Sequence, residues 1–322
     1  MRSSSFISKD SGRLDKVLSL HIGVSRNQVE KLIKDGLVSV DSKVVTKPSF
    51  KVSPNLNIEY SFKEAPKEEH KEIDIEIETL YEDEDILVIN KPSSLVVHPA
   101  PSVKEPTLVD WLRKQNIRLS TISGEERNGI VHRLDKDTSG ALLIAKSNFA
   151  HEALSKQLQD RSMGRYYLAV INYPLKDNIV INKPIARNPK NRLKMAIVDG
   201  GKEAKTAFAK IDEGTNRSEL IAAKLFSGRT HQIRVHLGSI NRYILGDMLY
   251  APQSIKHTHR IFLHAYLLYF IHPRSNRLVE VKAPLFSDMQ EYIDNNFTKG
   301  IDDESFKINE YFKDIDSNFT AI

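Results

Sequence analysis

Cysteine is absent from the 322 residues. Its absence excludes a disulfide framework, a thiolate zinc site and a thiol nucleophile, and it fits a reducing cytoplasm. Long apolar runs are missing too: no window approaches the ~20 residues that a bilayer-spanning helix needs. The opening Met1-Arg2-Ser3-Ser4-Ser5-Phe6 lacks the apolar core of a signal peptide. These absences lead to the expectation of a soluble, cytoplasmic chain with no membrane partner. No internal repeat is visible, and tryptophan occurs once, at Trp111.

The length suggests roughly two domains. The net charge of +5 conceals a segregation. Residues 1–62 carry 10 Lys and Arg against 6 Asp and Glu, a net of +4. Residues 63–78 carry 3 against 7, a net of −4, and residues 286–322 carry 3 against 9, a net of −6, which leaves +11 on residues 79–285. Positive charge gathered on the parts with core-forming patterns is the footprint of a nucleic-acid binder. A generically basic protein would carry the same total, so charge alone leaves the two readings level.

Residues 12–62 read as a small αβ module. Leu14, Val17 and Leu18 recur at helical spacing. Ser25-Arg26-Asn27-Gln28 has the form of a capping box, in which the Ser hydroxyl and the Gln side chain satisfy exposed amides. Val29, Leu32 and Ile33 then form one apolar face, and Gly36 can end the helix. Val38–Val40 and Val44-Val45 around Asp41-Ser42 predict a hairpin. The polar face carries Arg13, Lys16, Arg26, Lys31 and Lys34, with Lys43 and Lys47 nearby. Gly12-Arg-Leu-Asp15, Ser25-Arg26 and Gly36-Leu-Val-Ser-Val-Asp-Ser-Lys-Val-Val resemble an S4 domain, a small RNA-binding module. The resemblance implies that these cations neutralise phosphates with little sequence reading. Residues 63–78, charged and apolar-poor, read as a linker.

From residue 79 short strands outnumber helices and do not alternate strictly with them. That argues an α+β domain with a mostly antiparallel, mixed sheet. Ile86–Ile89, Ala141–Ala145, Tyr166–Ile171, Ala204–Ile211, Glu219–Leu225 and Ile261–Ile271 have strand character, and Ile130-Val131 reads as the end of another strand. Thr107 and Ser147 are placed to cap helices. The domain is expected to end near 285, and residues 286–322 read as an acidic C-terminal tail.

Three polar clusters stand out. The first is the loop His132-Arg-Leu-Asp-Lys-Asp-Thr-Ser-Gly140, set between apolar stretches where a rigid scaffold presents it. The second is Arg165-Tyr166-Tyr167 at the start of a strand, where alternation lets only one tyrosine face a site. The third is Gly228-Arg-Thr-His-Gln-Ile-Arg-Val-His236, in which Thr230 is placed to cap a helix. An Asp beside an Arg stays ionised and can act as nucleophile or base; a tyrosine face can stack on a base. The same residues permit a second reading, in which His132, Asp135, His231 and His236 ligate a metal for phosphodiester cleavage. Against it, His231 and His236 lie five apart, nearly opposite on a helix.

The three clusters, in this order, resemble the RluA family of pseudouridine synthases, and Tyr81-Glu-Asp-Glu-Asp-Ile-Leu-Val-Ile-Asn-Lys-Pro92 is similar to the same family. With the S4-like module the likeness leans toward the D-type enzymes that act on large-subunit rRNA. The resemblance implies a catalytic domain over 79–285 that isomerises uridine in RNA, no cofactor, no metal, and a monomer. It implies Asp135 as the catalytic carboxylate, either attacking the ribose C1′ or removing a sugar proton. Arg234 would pair with Asp135, Tyr167 would pack on the uracil, and Arg133 would fill the space left by the flipped nucleotide. Leu263 would wall the base, and Arg229, Lys136 and His132 would contact substrate. The expected partner is RNA, 23S rRNA or an assembling large subunit; other 23S or tRNA sites are the alternative. A non-catalytic assembly factor would share the module and the charge but would be expected to have lost one of Asp135, Tyr167 or Arg234.

Overall fold

The computed structural model describes residues 2–23, 26–62, 73–99, 103–122, 129–255, 258–301 and 305–313. Ser25 of the expected capping box lies outside them, as do residues 63–72 of the linker and 314–322 of the tail. The chain forms two compact units, Met1–His70 and Lys71–Ile322.

In the first unit the expected helices are α1 (Leu14–Ile22) and α2 (Arg26–Lys34). Strands β1 (Arg2–Ile7), β3 (Val38–Val40), β4 (Lys43–Val44) and β6 (Asn57–Phe62) form a sheet in the order β1-β6-β3-β4, and β2 (Gly12–Arg13) pairs with β5 (Lys51–Val52). Asp41 and Ser42 have φ of 48° and 65°, the two left-handed residues that a tight hairpin turn demands. Leu14, Leu18, Val29, Ile33 and Ile58 are fully buried, so the helix faces read from spacing are the faces that pack.

The second unit is built on one nine-stranded sheet. In chain order its strands are β7 (Thr79–Glu82), β8 (Ile86–Lys91), β9 (Ser139–Ala145), β10 (Gly164–Asn172), β11 (Ile179–Asn182), β14 (Lys205–Glu213), β15 (Ser218–Leu225), β16 (Leu263–Ile271) and β17 (Leu278–Lys282). A separate hairpin joins β12 (Ile185–Arg187) to β13 (Met195–Ile197). The spatial order is β11-β14-β15-β10-β16-β9-β8-β7, with β17 also on β16. Every pairing is antiparallel except β9 with β16. There Gly140 has φ +112°, and a Cβ on it would fall 2.4 Å from the Ala265 carbonyl oxygen. Only glycine lets the two halves of the sheet join so closely.

Both faces of the sheet are covered. One carries α3 (Leu108–Lys114), whose Leu108, Val109, Trp111 and Leu112 pack with Leu87, Ile89, Leu142, Ile144 and Tyr167. Thr107 caps α3 through a reciprocal bond pair with Asp110, as expected from its place before the apolar run. The other face carries α4 (Asn148–Asp160), capped by Ser147, and α6 (Ser287–Asn296).

Three expectations give way to the fold. Residues 73–78 are not linker: Ile73 and Ile77 are buried in the core of the second unit, and the Trp111 indole donates to the Ile75 carbonyl at 3.0 Å. Ile130-Val131 does not end a strand; Ile130 makes one bridge, to Ile144, and the chain turns away. Nor does the fold end near 285. Met289, Ile293, Phe297, Phe306, Ile308 and Phe312 are buried against Leu168, Val170, Ala209 and Leu220, and Arg260 grips Asp288 at 2.6 and 2.8 Å. The described acids of this stretch, Asp288, Glu291, Asp294 and Glu310, are exposed. A few kcal/mol of apolar burial per large side chain makes the segment through Phe312 part of the unit.

Candidate active site

Strand topology brings the three polar clusters together. The loop holding Asp135 runs directly into β9 at its junction with β16. Tyr167 lies in β10, beside β16, and α5 (Gln232–Gly238) follows β15, the next strand along. Val131, His132, Arg133, Asp135, Arg165, Tyr167, Gly228, Arg229, His231, Arg234 and Leu263 line one cleft of about 350 Å³. Tyr166 faces the opposite side, where it packs on Phe312 with ring centroids 5.3 Å apart; the alternation along β10 therefore gives Tyr167 to the cleft.

Arg234 is the centre of the charge arrangement. Its Nη1 lies 3.5 Å from Asp135 Oδ2. Its Nε and Nη2 donate to the two oxygens of Asp247 at 2.8 and 2.7 Å, the planar two-bond pairing that fixes a guanidinium. Asp247 is nearly inaccessible and also accepts from the Leu249 and Tyr250 amides, at 3.1 and 3.0 Å. Burial works against the Arg234 charge, but Asp247 and then Asp135 outweigh it and raise its pKa. The guanidinium is therefore a permanent cation, held by one carboxylate and offered edge-on to another. The Tyr250 ring lies against it, 4.9 Å from centroid to Cζ.

The third cluster does not begin as its spacing predicts. Thr230 is not the cap of α5; that position is His231, in the left-handed region at φ 56° with no side-chain cap bond. The turn is instead tied by the Gln232 side chain, whose Oε1 accepts from Ser227 Oγ at 2.8 Å and from the Arg229 amide at 3.0 Å. His231 Nδ1 meets the Tyr250 hydroxyl at 2.8 Å, and burial lowers its pKa.

His132 accepts a 3.0 Å hydrogen bond from the Leu143 amide at Nε2. Burial, with help from the Arg165 charge, pushes its pKa down to about 3, so it is neutral with its proton on Nδ1. Burial also raises the Tyr167 phenol, keeping it protonated at neutral pH. Leu263 is 3 % exposed on the cleft wall. Arg133 is exposed at the cleft, and Arg229, also exposed, donates from Nε to the Glu203 carbonyl at 2.8 Å. Lys136 is turned to Glu105, 2.7 Å away, and does not line this cleft.

The metal reading is not supported by the geometry. His236 is fully buried with both ring nitrogens engaged, Nδ1 with Thr206 Oγ1 at 2.9 Å and Nε2 with the Lys183 carbonyl at 3.1 Å. Among the described residues no group of three or more His, Asp or Glu side chains is placed to hold a metal ion.

Two residues here carry no sequence signal strong enough to single them out. Asp247 lies in a turn 13 residues after Arg234. Lys91 is completely buried, and its Nζ donates to the carbonyls of Pro92, Leu95 and Lys136 at 2.7, 2.9 and 3.0 Å. Burial brings its pKa down to about 7. Since Lys136 follows Asp135, this ammonium anchors the Asp135 loop to the end of β8. In the first unit, Asp15 is fully buried and receives Arg13 Nη2 at 2.8 Å and Arg26 Nη2 at 2.7 Å. The Arg13 hydrogen bond holds its carboxyl well below the usual carboxylate range. Lys16, Lys31 and Lys34 are exposed.

Residues 85–239 match the family described as RNA pseudouridylate synthase, and residues 12–58 match the S4 domain. A Helicobacter pylori strain J99 protein named as an uncharacterized RNA pseudouridine synthase is 49 % identical over 296 residues, covering 89 % of this chain and 90 % of its own. A Zymomonas mobilis protein named ribosomal large subunit pseudouridine synthase D is 41 % identical over 292 residues, covering 86 % and 92 %. Among solved structures, human RNA pseudouridylate synthase domain containing 1 superposes with a TM-score of 0.56 at 24 % identity, over 67 % of this chain and 87 % of that one; it shares the fold.

Proposed function

We propose, from the premise that this chain belongs to the RNA pseudouridylate synthase family and is an isomerase acting on uridine in RNA, that Asp135 is its catalytic carboxylate. We also propose that its target is large-subunit rRNA, in the stem-loop that faces the decoding site. The observation that carries the first part is the chain Asp135–Arg234–Asp247, assembled in the cleft beside Tyr167 and Leu263. The second part draws support from the S4 domain and from the large-subunit relatives that share most of the chain.

The reaction breaks the bond from C1′ to uracil N1, turns the base and joins C1′ to C5. The C5 proton leaves and N1 gains one, so no electrons are exchanged with a second reactant. Asp135 acts at the sugar, by attack on C1′ or by removal of a sugar proton. Arg234, clamped from behind by Asp247, holds that carboxylate aimed. Tyr167 and Leu263 form apolar walls for the uracil. A buried, protonated phenol suits packing and proton relay better than service as a free base. Reaching this cleft requires the uridine to leave its stack, which costs a few kcal/mol and least in a loop; in this reading Arg133, an exposed residue of the cleft lining, fills the gap.

The test is pseudouridine mapping of 23S rRNA from cells lacking this protein, complemented with the wild-type chain or with Asp135→Asn. Sites that vanish and return only with the wild type support both parts. Sites that return equally with both chains refute the role of Asp135, and unchanged rRNA with altered tRNA refutes the target.

A further inference from the structure

Two residues that line the cleft each carry a donor with no hydrogen-bond partner among the described residues. The Arg165 Nε is buried without a hydrogen bond, and so is His132 Nδ1. The second must carry the ring proton, because Nε2 already accepts from the Leu143 amide. His132 is 8 % exposed, and the two groups are close enough for the Arg165 charge to act on the ring. A buried donor left unmade is costly, and two at one cleft wall mark the place of an acceptor that arrives with the substrate.

The charge of the cleft says which acceptor. Its charged lining is Arg133, Asp135, Arg165, Arg229 and Arg234: four guanidiniums and one carboxylate. Arg234 is committed to Asp247 and Asp135. Arg165 makes no ion pair among the described residues. Its register explains its position. It stands two residues before Tyr167 on β10, so both project from the same face. Its guanidinium spreads over Gly228, where a Cβ would come within 3.2 Å of Nη1. A planar fork held open in this way suits a phosphate. A neutral uracil carbonyl would leave its charge uncompensated.

We infer that Arg165, with His132 Nδ1–H beside it, binds a backbone phosphate flanking the flipped uridine, and so sets how far the target nucleotide enters the cleft. This subsite deepens the reading of the cleft as the uridine-isomerising site and rests on it.

The experiment is a binding cycle in the Asp135→Asn background, which stops turnover and leaves the donors in place. The probe is a synthetic RNA of the large-subunit stem-loop that faces the decoding site, either natural or with one methylphosphonate 5′ or 3′ of each loop uridine in turn. Arg165→Ala is expected to weaken binding of the natural RNA about 10- to 100-fold, the loss for a charge-assisted hydrogen bond. Methylphosphonate at one position should weaken the unsubstituted background comparably and add almost nothing on top of Arg165→Ala. Arg165→Lys, which keeps the charge but not the fork, should lose several-fold and stay sensitive to the same phosphate; it covers the case in which the alanine variant fails to fold. Penalties that add at every phosphate overturn the inference. Failure of the wild-type chain to convert any uridine would refute the activity reading instead, and the binding cycle would still report on Arg165.

Discussion

Two buried aspartates organise arginines in this chain, with opposite results. In the N-terminal unit Asp15 is inaccessible, yet the side chains of Arg13 and Arg26 that it receives remain 50 % and 52 % exposed. In the larger unit Asp247 is equally buried, and Arg234 is only 7 % exposed. The anchoring chemistry is the same, and what differs is where the free edge of the guanidinium points. Half in water, it can meet a phosphate, and salt screens the attraction. Enclosed, its only open edge faces Asp135, and screening is weak. One arrangement suits binding RNA and the other suits conditioning a carboxylate.

The largest effect should come from the carboxylate that only the enclosed arrangement serves. Asp135→Asn is expected to lower the single-turnover rate of pseudouridine formation by roughly 10⁴-fold or more, with RNA affinity nearly unchanged in a filter-binding assay. Asp247→Asn comes next. It frees the Arg234 fork to close on Asp135 and leaves a buried cation short of its partner, which costs about 3–5 kcal/mol when such a pair is broken. The rate should fall about 100-fold with a lowered Tm, while Asp15→Asn should weaken RNA binding and leave the rate of bound substrate intact. Equal effects of the two variants on that rate would erase the distinction between the two aspartates.

Lys91 is a third solution, a buried cation with three carbonyl partners and no carboxylate bonded to it. Lys91→Met should loosen the loop that carries Asp135 and slow turnover about 10-fold. The pH dependence has a definite sign. Burial lowers the Lys91 pKa to about 7 in the folded chain, so between that value and the ordinary lysine value the unfolded chain binds more protons. Stability attributable to Lys91 therefore rises with pH across that window. The penalty for burying the charge is fully present below about pH 7. Denaturant titrations should show the wild type gaining on Lys91→Met from pH 6.5 to 9; a constant difference would mean that Lys91 does not titrate there.

The parts of this site that were legible in the sequence are the local ones. His132–Gly140 and Gly228–His236 are continuous runs, and the alternation at Tyr166-Tyr167 separates the two rings without any tertiary knowledge. Asp247 was not legible, because its partner is 13 residues away through a helix and a turn, and an Asp in a turn has many local uses. Thr230 illustrates a local rule overridden: the cap preference is real, but the turn is fixed by Gln232, and His231 is held in a left-handed conformation beside Tyr250. The segment after 285 was hidden by counting charge. Met289, Ile293 and Phe297, four apart along α6 and its C-cap, trace one apolar stripe, and Asp288, Glu291 and Asp294 of the same helix are exposed.

The smallest effects should come from the exposed cations of the first unit, and they test whether it binds RNA as its side of the comparison requires. Lys31 and Lys34 stand in the last turn of α2, and among the described residues Lys34 shares a 3.6 Å pair with Glu30. Neither is anchored by a buried acid, so each pays side-chain entropy on meeting a phosphate, whereas Arg13 and Arg26 are already held by Asp15. Single alanine variants at Lys31 or Lys34 should weaken binding of the large-subunit stem-loop only a few-fold, uniformly across loop sequences. Each should flatten the plot of log affinity against log salt by about 0.7–0.9 for every phosphate that is no longer neutralised. Arg26→Ala should do more than either lysine, because it also removes one of two partners from buried Asp15. An unchanged salt slope in all three variants would place the RNA-binding surface of this unit elsewhere and leave Asp15 with a purely structural part.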